Sequence, residues 1–121
     1  MAALLIIPVA LFFTGMGLVA LYDPTYTLSF FDAGALGPDM RNEVRAVYGG
    51  YGLLVGAMLF YCLTRSGLRA GILVAIGLSV AGMALGRVIS LMIEPTTTSF
   101  PVTFIGVELV MAVMLFAAAR R

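Results

Sequence analysis

The chain has 121 residues, of which 62% are hydrophobic and only 11% carry a charge. A typical soluble domain is about half apolar and about a quarter charged, so this composition excludes water as the main solvent of the protein. A net charge of +1, with arginines scattered along the chain, excludes the basic surface through which proteins bind nucleic acid.

Four apolar stretches are long enough to cross a membrane, since about 20 such residues span the roughly 30 Å hydrocarbon layer. They cover about residues 2–22, 43–64, 70–93 and 101–119. The polar segments between the last three are short, and short connections join helices that lie antiparallel. We therefore predict an all-α fold, an integral membrane four-helix bundle with up-down topology, in which residues 1–121 form one transmembrane domain.

The first span ends at Asp23-Pro24, because proline cannot continue a helix without losing a hydrogen bond. No basic residue precedes this span and its apolar run is longer than that of a signal peptide, so we expect the span to be retained. Glycines and prolines interrupt the chain from there to Asn42, while Phe30 and Phe31 suit the level of the lipid headgroups. This segment is predicted to be an interfacial loop with room for one short helix.

The second span is expected to follow a helix start at Gly37-Pro38-Asp39, because proline is tolerated in the first turn and an acidic side chain suits the exposed amides there. Residues 65–69 form the predicted turn into the third span, and Glu94-Pro95 begins the turn into the fourth. Four short-loop arginines share one side of the membrane: Arg65, Arg69, Arg120 and Arg121. By the positive-inside rule this side is cytoplasmic, which predicts a multi-pass membrane protein with both termini in the cytoplasm.

Arg87 and Glu108 are the only charged residues that lie well inside apolar stretches. They lie at equal distances from the centre of the turn between the third and fourth spans, at Thr97 and Thr98. An antiparallel helix pair therefore brings them to one depth. An ionisable group in hydrocarbon costs roughly 2.5 to 3.5 kcal/mol on the insertion scale and is rarely present without a partner. We predict a buried salt bridge between these two side chains.

Further charges lie at the outer end of the second span. Arg41 and Arg45 are one helical turn apart, so they place positive charge on one stripe and need counterions. The candidates for a shared polar network are Arg41, Glu43, Arg45, Tyr48, Arg87, Glu94 and Glu108. Two interpretations stay open: a buried network that fixes the register of the helices, or an outward-facing pocket that binds a small ligand.

Glycines follow these arginines along one face of the second span. They are Gly49, Gly52 and Gly56, and the third span carries a similar pair, Gly82 and Gly86. Small residues four apart let helix backbones approach closely in lipid. We expect these glycines to pack helices inside the bundle; the alternative is a seam for a second copy or another partner.

Histidine is absent, which removes the usual axial ligand of haem and the commonest ligand of zinc and copper. The eight methionines are not taken as copper ligands, because membrane cores use methionine freely for packing. The single Cys62 cannot form an internal disulfide. No phosphate-binding loop, pair of catalytic carboxylates or activated nucleophile is visible. We therefore expect no metal, no cofactor and no enzymatic activity.

The second span opens with the motif N-E-x-R-A-x-Y-G-G, and a Gly-Arg step follows late in the third span. These positions are Asn42, Glu43, Arg45, Ala46, Tyr48, Gly49, Gly50, Gly86 and Arg87. In this pattern, and over nearly its whole length, the chain resembles a family of small bacterial membrane proteins catalogued as domain of unknown function 4345. The resemblance implies a four-span protein of the bacterial inner membrane and indicates which polar residues matter, but it implies no activity.

Two functions stay open at this stage. Few loop residues and no visible chemistry favour an accessory subunit that packs in the lipid against a larger membrane complex or against a second copy of itself. The outward polar cluster around Arg41, Arg45 and Arg87 favours instead a module that binds or transports a small molecule or lipid. We take the accessory subunit as the leading prediction and the binding module as the alternative.

Overall fold

The computed structural model describes residues 1–121, which form five helices and no strand. The helices are α1 (Ala2–Tyr22), α2 (Pro24–Ser29), α3 (Pro38–Thr64), α4 (Ser66–Ile93) and α5 (Phe100–Ala119). All of them except α2 are long and apolar enough to cross a membrane. At about 1.5 Å per residue, even the 20 residues of α5 reach roughly the 30 Å of the hydrocarbon layer. The predicted all-α, four-helix membrane fold is confirmed.

The four long helices form a ring in which each packs against two neighbours. α1 packs against α3 and α5, and α4 packs against the same two helices. The closest associations are those between α1 and α3 and between α4 and α5. The bundle therefore consists of two tightly packed helix pairs that lie side by side.

α1 and α3 approach closely because glycine occupies both sides of their contact. A Cβ atom on Gly17 of α1 would lie 2.8 Å from the backbone nitrogen of Leu53 and 2.9 Å from the carbonyl oxygen of Gly49, closer than real Cβ atoms come. The α3 glycines that face α1 in this way are Gly49, Gly52 and Gly56. In lipid, such close backbone approach supplies the van der Waals contact that holds helices together.

The two α4 glycines that the sequence predicts to pack helices inside the bundle lie on its outer surface instead. Gly82 and Gly86 are exposed, and a Cβ atom on either would have no neighbour within 4 Å. The reason is helical phase: Val80, Ala84 and Arg87 recur at spacings of four and three and face the bundle, so the two glycines fall on the opposite side.

The apolar core fills the half of the bundle that contains both termini. Each long helix contributes one large, fully buried aliphatic side chain: Ile6, Leu59, Leu73 and Leu115. At this end α3 and α4 are joined by Arg65 alone, so residues 66–69, predicted as a turn, are instead the first turn of α4. From that turn the Nε of Arg69 donates a 2.9 Å hydrogen bond to the carbonyl oxygen of Cys62, one of the carbonyls that the end of α3 leaves free.

The connection between α1 and α3 covers the opposite end of the bundle. Its helix α2 starts at Pro24, and the side chain of Asp23 accepts a 2.9 Å hydrogen bond from the backbone N–H of Tyr26. The chain then turns at Asp32, which has a φ of 59°, and the hydroxyl of Thr97 donates a 3.3 Å hydrogen bond to the Asp32 carboxylate. This contact ties the connection to the turn between α4 and α5.

Candidate ligand-binding cavity

A cavity of about 290 Å³ lies in the outer half of the bundle, beneath the connection that contains α2. All five helices contribute to its wall. Its deepest lining residues are the buried Phe13, Val80 and Met111, which also belong to the apolar core. Protein pockets for small molecules measure about 300 to 1,000 Å³, so this cavity has room for a small molecule or for part of a lipid chain.

Four phenylalanine rings form one wall of the cavity, and we call them the phenylalanine cluster: Phe30, Phe31, Phe100 and Phe104. The ring centroids of Phe30 and Phe100 are 5.0 Å apart, and those of Phe31 and Phe104 are 5.6 Å apart. These separations lie in the range of roughly 4.5 to 7 Å at which aromatic pairs attract each other. The cluster therefore attaches the connection that follows α2 to the first turns of α5.

The cavity wall also contains the one ion pair of the protein. The Nε atom of Arg87 on α4 lies 3.0 Å from Oε1 and 3.1 Å from Oε2 of Glu108 on α5. The side chain of Glu108 is only 2% exposed, whereas that of Arg87 is 22% exposed. The salt bridge predicted from equal depth is confirmed, and it links α4 to α5 in the outer half of the bundle.

Two rings of the phenylalanine cluster also contact the guanidinium group of Arg87. Its Cζ atom lies 5.7 Å from the centroid of Phe31 and 5.4 Å from that of Phe104, within the roughly 6 Å of a cation–π contact. The guanidinium donates hydrogen bonds to the protein through Nε alone. The four N–H groups on its two Nη atoms therefore have no protein acceptor, and the residue that carries them lines the cavity.

The other predicted members of the polar network do not join this pair. An Nη atom of Arg41 donates to the carbonyl oxygen of Leu36, and the Nε atom of Arg45 donates a 3.1 Å hydrogen bond to the carbonyl oxygen of Leu21. Neither arginine forms an ion pair, and the exposed Glu43 and Glu94 form none either.

Helix ends explain this correction. Leu21 lies in the last turn of α1, where carbonyl groups lack a partner within the helix and the helix dipole favours a positive charge. Because α3 begins at Pro38, Arg45 reaches the level of that last turn instead of the depth of Glu108. The arginine therefore binds a backbone carbonyl of α1 instead of a carboxylate.

Tyr48 is the one predicted network residue of α3 that reaches the cavity. It lies in the π-helical segment Arg45–Gly50, which is flanked by α-helical turns, and Gly49 of the same segment faces Leu21 of α1. Short π-helical segments within α-helices are frequent at functional sites. Here the segment presents a glycine to α1 and a tyrosine to the cavity.

The sequence interpretation missed the phenylalanine cluster, because it placed Phe30 and Phe31 at the headgroup level. A usable signal lies on α5, where Phe100, Phe104 and Glu108 follow one another at spacings of four and so share one helix face. Two aromatic rings on the same helix face as an acid within an apolar stretch indicate that this face contacts the other helices and combines apolar with polar side chains. No three His, Cys, Asp or Glu side chains come together in a way that could hold a metal ion.

Comparison with known proteins supports the family suggested by the motif around Arg45 and the Gly-Arg step at Arg87. The model of the family described as domain of unknown function DUF4345 matches residues 1–119. No curated protein and no solved structure matches the chain. The match covers all four membrane-spanning helices and every residue of the cavity. The chain therefore belongs to the DUF4345 family.

Proposed function

We propose that this multi-pass membrane protein binds a lipid-soluble small molecule in its outer cavity and does not transform it chemically. The observation that carries this proposal is a cavity of about 290 Å³ whose wall is mostly apolar but includes the ion pair of Arg87 and Glu108. Ligand sites are typically apolar clefts with a few placed polar groups. The lining hydroxyl groups belong to Tyr26, Thr27 and Tyr48, and the one acid of the lining, Glu108, is already paired with Arg87, so binding accounts for the cavity better than catalysis does.

The position of the cavity suggests how a ligand reaches it. Tyr26, Phe30 and Met83 line the cavity and are also exposed on the outside of the protein, so the surrounding lipid has access between α2 and the long helices. We further propose that the membrane is the bacterial cytoplasmic membrane, with both termini in the cytoplasm, because Arg120 and Arg121 lie at the end opposite the cavity.

An accessory subunit of a larger membrane complex, or of a homo-oligomer, is the second candidate. One specific observation favours it: Gly82 and Gly86 form an exposed small-residue surface on α4, against which another helix could pack closely. This surface lies outside the cavity, so the two candidates can be tested separately.

Native mass spectrometry after extraction in mild detergent tests the proposal. Gly15 is an exposed residue of the cavity lining, and a Cβ atom there would have no neighbour within 4 Å, so Gly15→Leu adds a side chain at the mouth of the cavity without a backbone clash. Gly82→Leu is the matched control, because Gly82 has equal space but lies outside the cavity.

We expect a small molecule to be retained by the unmodified protein and by Gly82→Leu, and its occupancy to fall at least tenfold in Gly15→Leu. A stoichiometric protein partner lost in Gly82→Leu, with no small molecule in any sample, would instead support the accessory subunit. Equal retention of a small molecule in Gly15→Leu would contradict the proposed cavity site.

A further inference from the structure

We propose that the ligand of the cavity is uncharged and carries a carbonyl-type hydrogen-bond acceptor, which meets the Nη groups of Arg87 while an apolar body fills the remaining space. This inference rests on the proposed function and names the chemical class of the molecule bound. It follows from the unused donors of Arg87, from the charge balance of the site and from the character of the cavity wall.

The donors give the polar end of the ligand. A guanidinium group has five N–H donors, and Arg87 uses only the one on Nε, which it shares between the two oxygens of Glu108. The Phe31 and Phe104 rings near its Cζ atom offer no oxygen acceptor. The Nη atoms are not buried, so a ligand can reach them, and the apolar neighbours strengthen a hydrogen bond formed there. A ligand oxygen at the Nη atoms supplies the missing acceptor.

The charges already present in the cavity wall indicate the charge of the ligand. Arg87 is already neutralised by Glu108, whose carboxylate is buried and cannot move into water. An anionic ligand would place a second negative charge beside this carboxylate, and like charges in a low-dielectric site repel strongly. The other nearby cations, Arg41 and Arg45, are directed to backbone carbonyls and do not line the cavity. The site therefore favours a neutral acceptor over an anion.

The side chains of the cavity wall indicate the chemistry of the apolar part of the ligand. The phenylalanine cluster and the buried Phe13 line the cavity, together with Met16 and Met111. Aromatic rings attract one another in offset or edge-to-face arrangements, and thioether sulfur also packs well at ring edges. A ring-bearing molecule with an exocyclic carbonyl matches both the wall and the donors.

Three probes of related shape test the inference: benzophenone, which is an uncharged aromatic ketone; diphenylmethane, which lacks the oxygen; and 4-benzoylbenzoate, which adds a carboxylate. Each is measured by equilibrium dialysis of lipid nanodiscs that contain the protein against empty nanodiscs, so that partition into lipid cancels. We expect benzophenone to bind about tenfold more tightly than diphenylmethane, since a hydrogen bond to a charged group typically contributes this much. We expect 4-benzoylbenzoate to bind more weakly than benzophenone.

Substitution of Arg87 identifies the donor. The double variant Arg87→Met with Glu108→Met removes every donor at this position and leaves no charge without a partner, so it should lower the ratio of benzophenone to diphenylmethane affinity from about ten to about one. An unchanged ratio in this variant would show that another group binds the carbonyl oxygen. Gly82→Leu, remote from the cavity, should keep the ratio of the unmodified protein.

The outcomes separate this inference from the proposed function. Tightest binding of 4-benzoylbenzoate would overturn the inference, because the site would then prefer anions. Equal binding of benzophenone and diphenylmethane, with both weakened by Gly15→Leu, would also overturn it while leaving the cavity as a binding site. Binding of neither neutral probe, or binding unaffected by Gly15→Leu, would contradict the proposed function as well.

Discussion

Arg87 is held by three side chains that differ in chemistry. Glu108 binds its Nε, and the rings of Phe31 and Phe104 lie near its Cζ. Burial of a charge in a low-dielectric setting is costly unless a counterion and hydrogen bonds compensate for it. The carboxylate supplies this compensation on one side of the guanidinium, and the rings replace lipid on another. The energetic effect of each contact can be measured by removing it alone.

Removal of the counterion is the sharpest test at the scale of single residues. Glu108→Gln leaves the charge of Arg87 without a partner, and we expect the free energy of unfolding to fall by about 3 kcal/mol. This is the low end of the roughly 3 to 5 kcal/mol for breaking a buried pair, because Arg87 keeps its ring contacts and is partly exposed. Thermal unfolding in mild detergent measures the loss.

The double variant Arg87→Met with Glu108→Met is the control for this measurement. Replacement of a buried pair by apolar residues of similar volume is often neutral or stabilising, since no charge is left without a partner. We expect the double variant to unfold close to the temperature of the unmodified protein. A double variant as unstable as Glu108→Gln would show that the loss comes from packing and not from the stranded charge.

At the scale of helices, the contact between α1 and α3 depends on the absence of side chains. In Gly17→Ala the new methyl group meets two backbone atoms, on Leu53 and Gly49, which cannot move unless the helices separate. We expect a loss of about 1 to 3 kcal/mol in unfolding free energy, the usual cost of overpacking. Detergent melting is again the measurement.

Gly82→Ala provides the matched control for the helix contact. Nothing lies within 4 Å of the added methyl group, and alanine in a helix is more stable than glycine by roughly 0.5 to 1 kcal/mol. The two glycine substitutions should therefore shift the melting temperature in opposite directions. Equal shifts would contradict the close approach of α1 and α3.

Aromatic contacts are one of the attachments that hold the connection containing α2 over the cavity, beside its packing on α1 and the hydrogen bond of Thr97 to Asp32. Phe100→Ala removes the contacts of its ring with Phe30 and Phe31, whose centroids lie 5.0 and 6.2 Å away. Each aromatic pair contributes about 0.5 to 1.5 kcal/mol, so amide hydrogen exchange in Pro24–Ser29 should become roughly tenfold faster. Phe60→Ala, an exposed position on α3, should leave that exchange unchanged. Unchanged exchange in Phe100→Ala would show that other contacts hold the connection.

At the scale of the whole molecule, the sequence predicted those features that depend only on the number of residues between two points of the chain. Composition and length give the four spans, and equal distances from the turn at Thr97 give the pairing of Arg87 with Glu108. The pairing of Arg45 could not be obtained in this way. Periodicity tells which residues share a helix face, but not that the end of α1, with the carbonyl of Leu21, is the neighbour of that face.

The cavity could not be predicted for a related reason. The cavity is a space that the side chains of five helices leave unfilled in the outer half of the bundle. Its existence depends on how these helices pack together, which no single segment of the sequence determines. The inner half, in contrast, is filled by side chains such as Leu59 and Leu115. The bundle therefore has a packed inner half, which holds the helices together, and an outer half that contains the cavity in which we propose a ligand binds.

The proposed orientation of the molecule rests on the distribution of its arginines and can be tested with single cysteines. In a Cys62→Ala background, Thr97→Cys lies at the cavity end and Arg120→Cys at the end that holds the termini; both positions are exposed. The positive-inside rule predicts that a membrane-impermeant maleimide labels Thr97→Cys on intact bacterial cells, but labels Arg120→Cys only after the cells are permeabilised. The reverse pattern would invert the orientation and direct the cavity to the cytoplasmic side. Labelling of both cysteines from outside would contradict the number of crossings, because α5 alone separates the two positions.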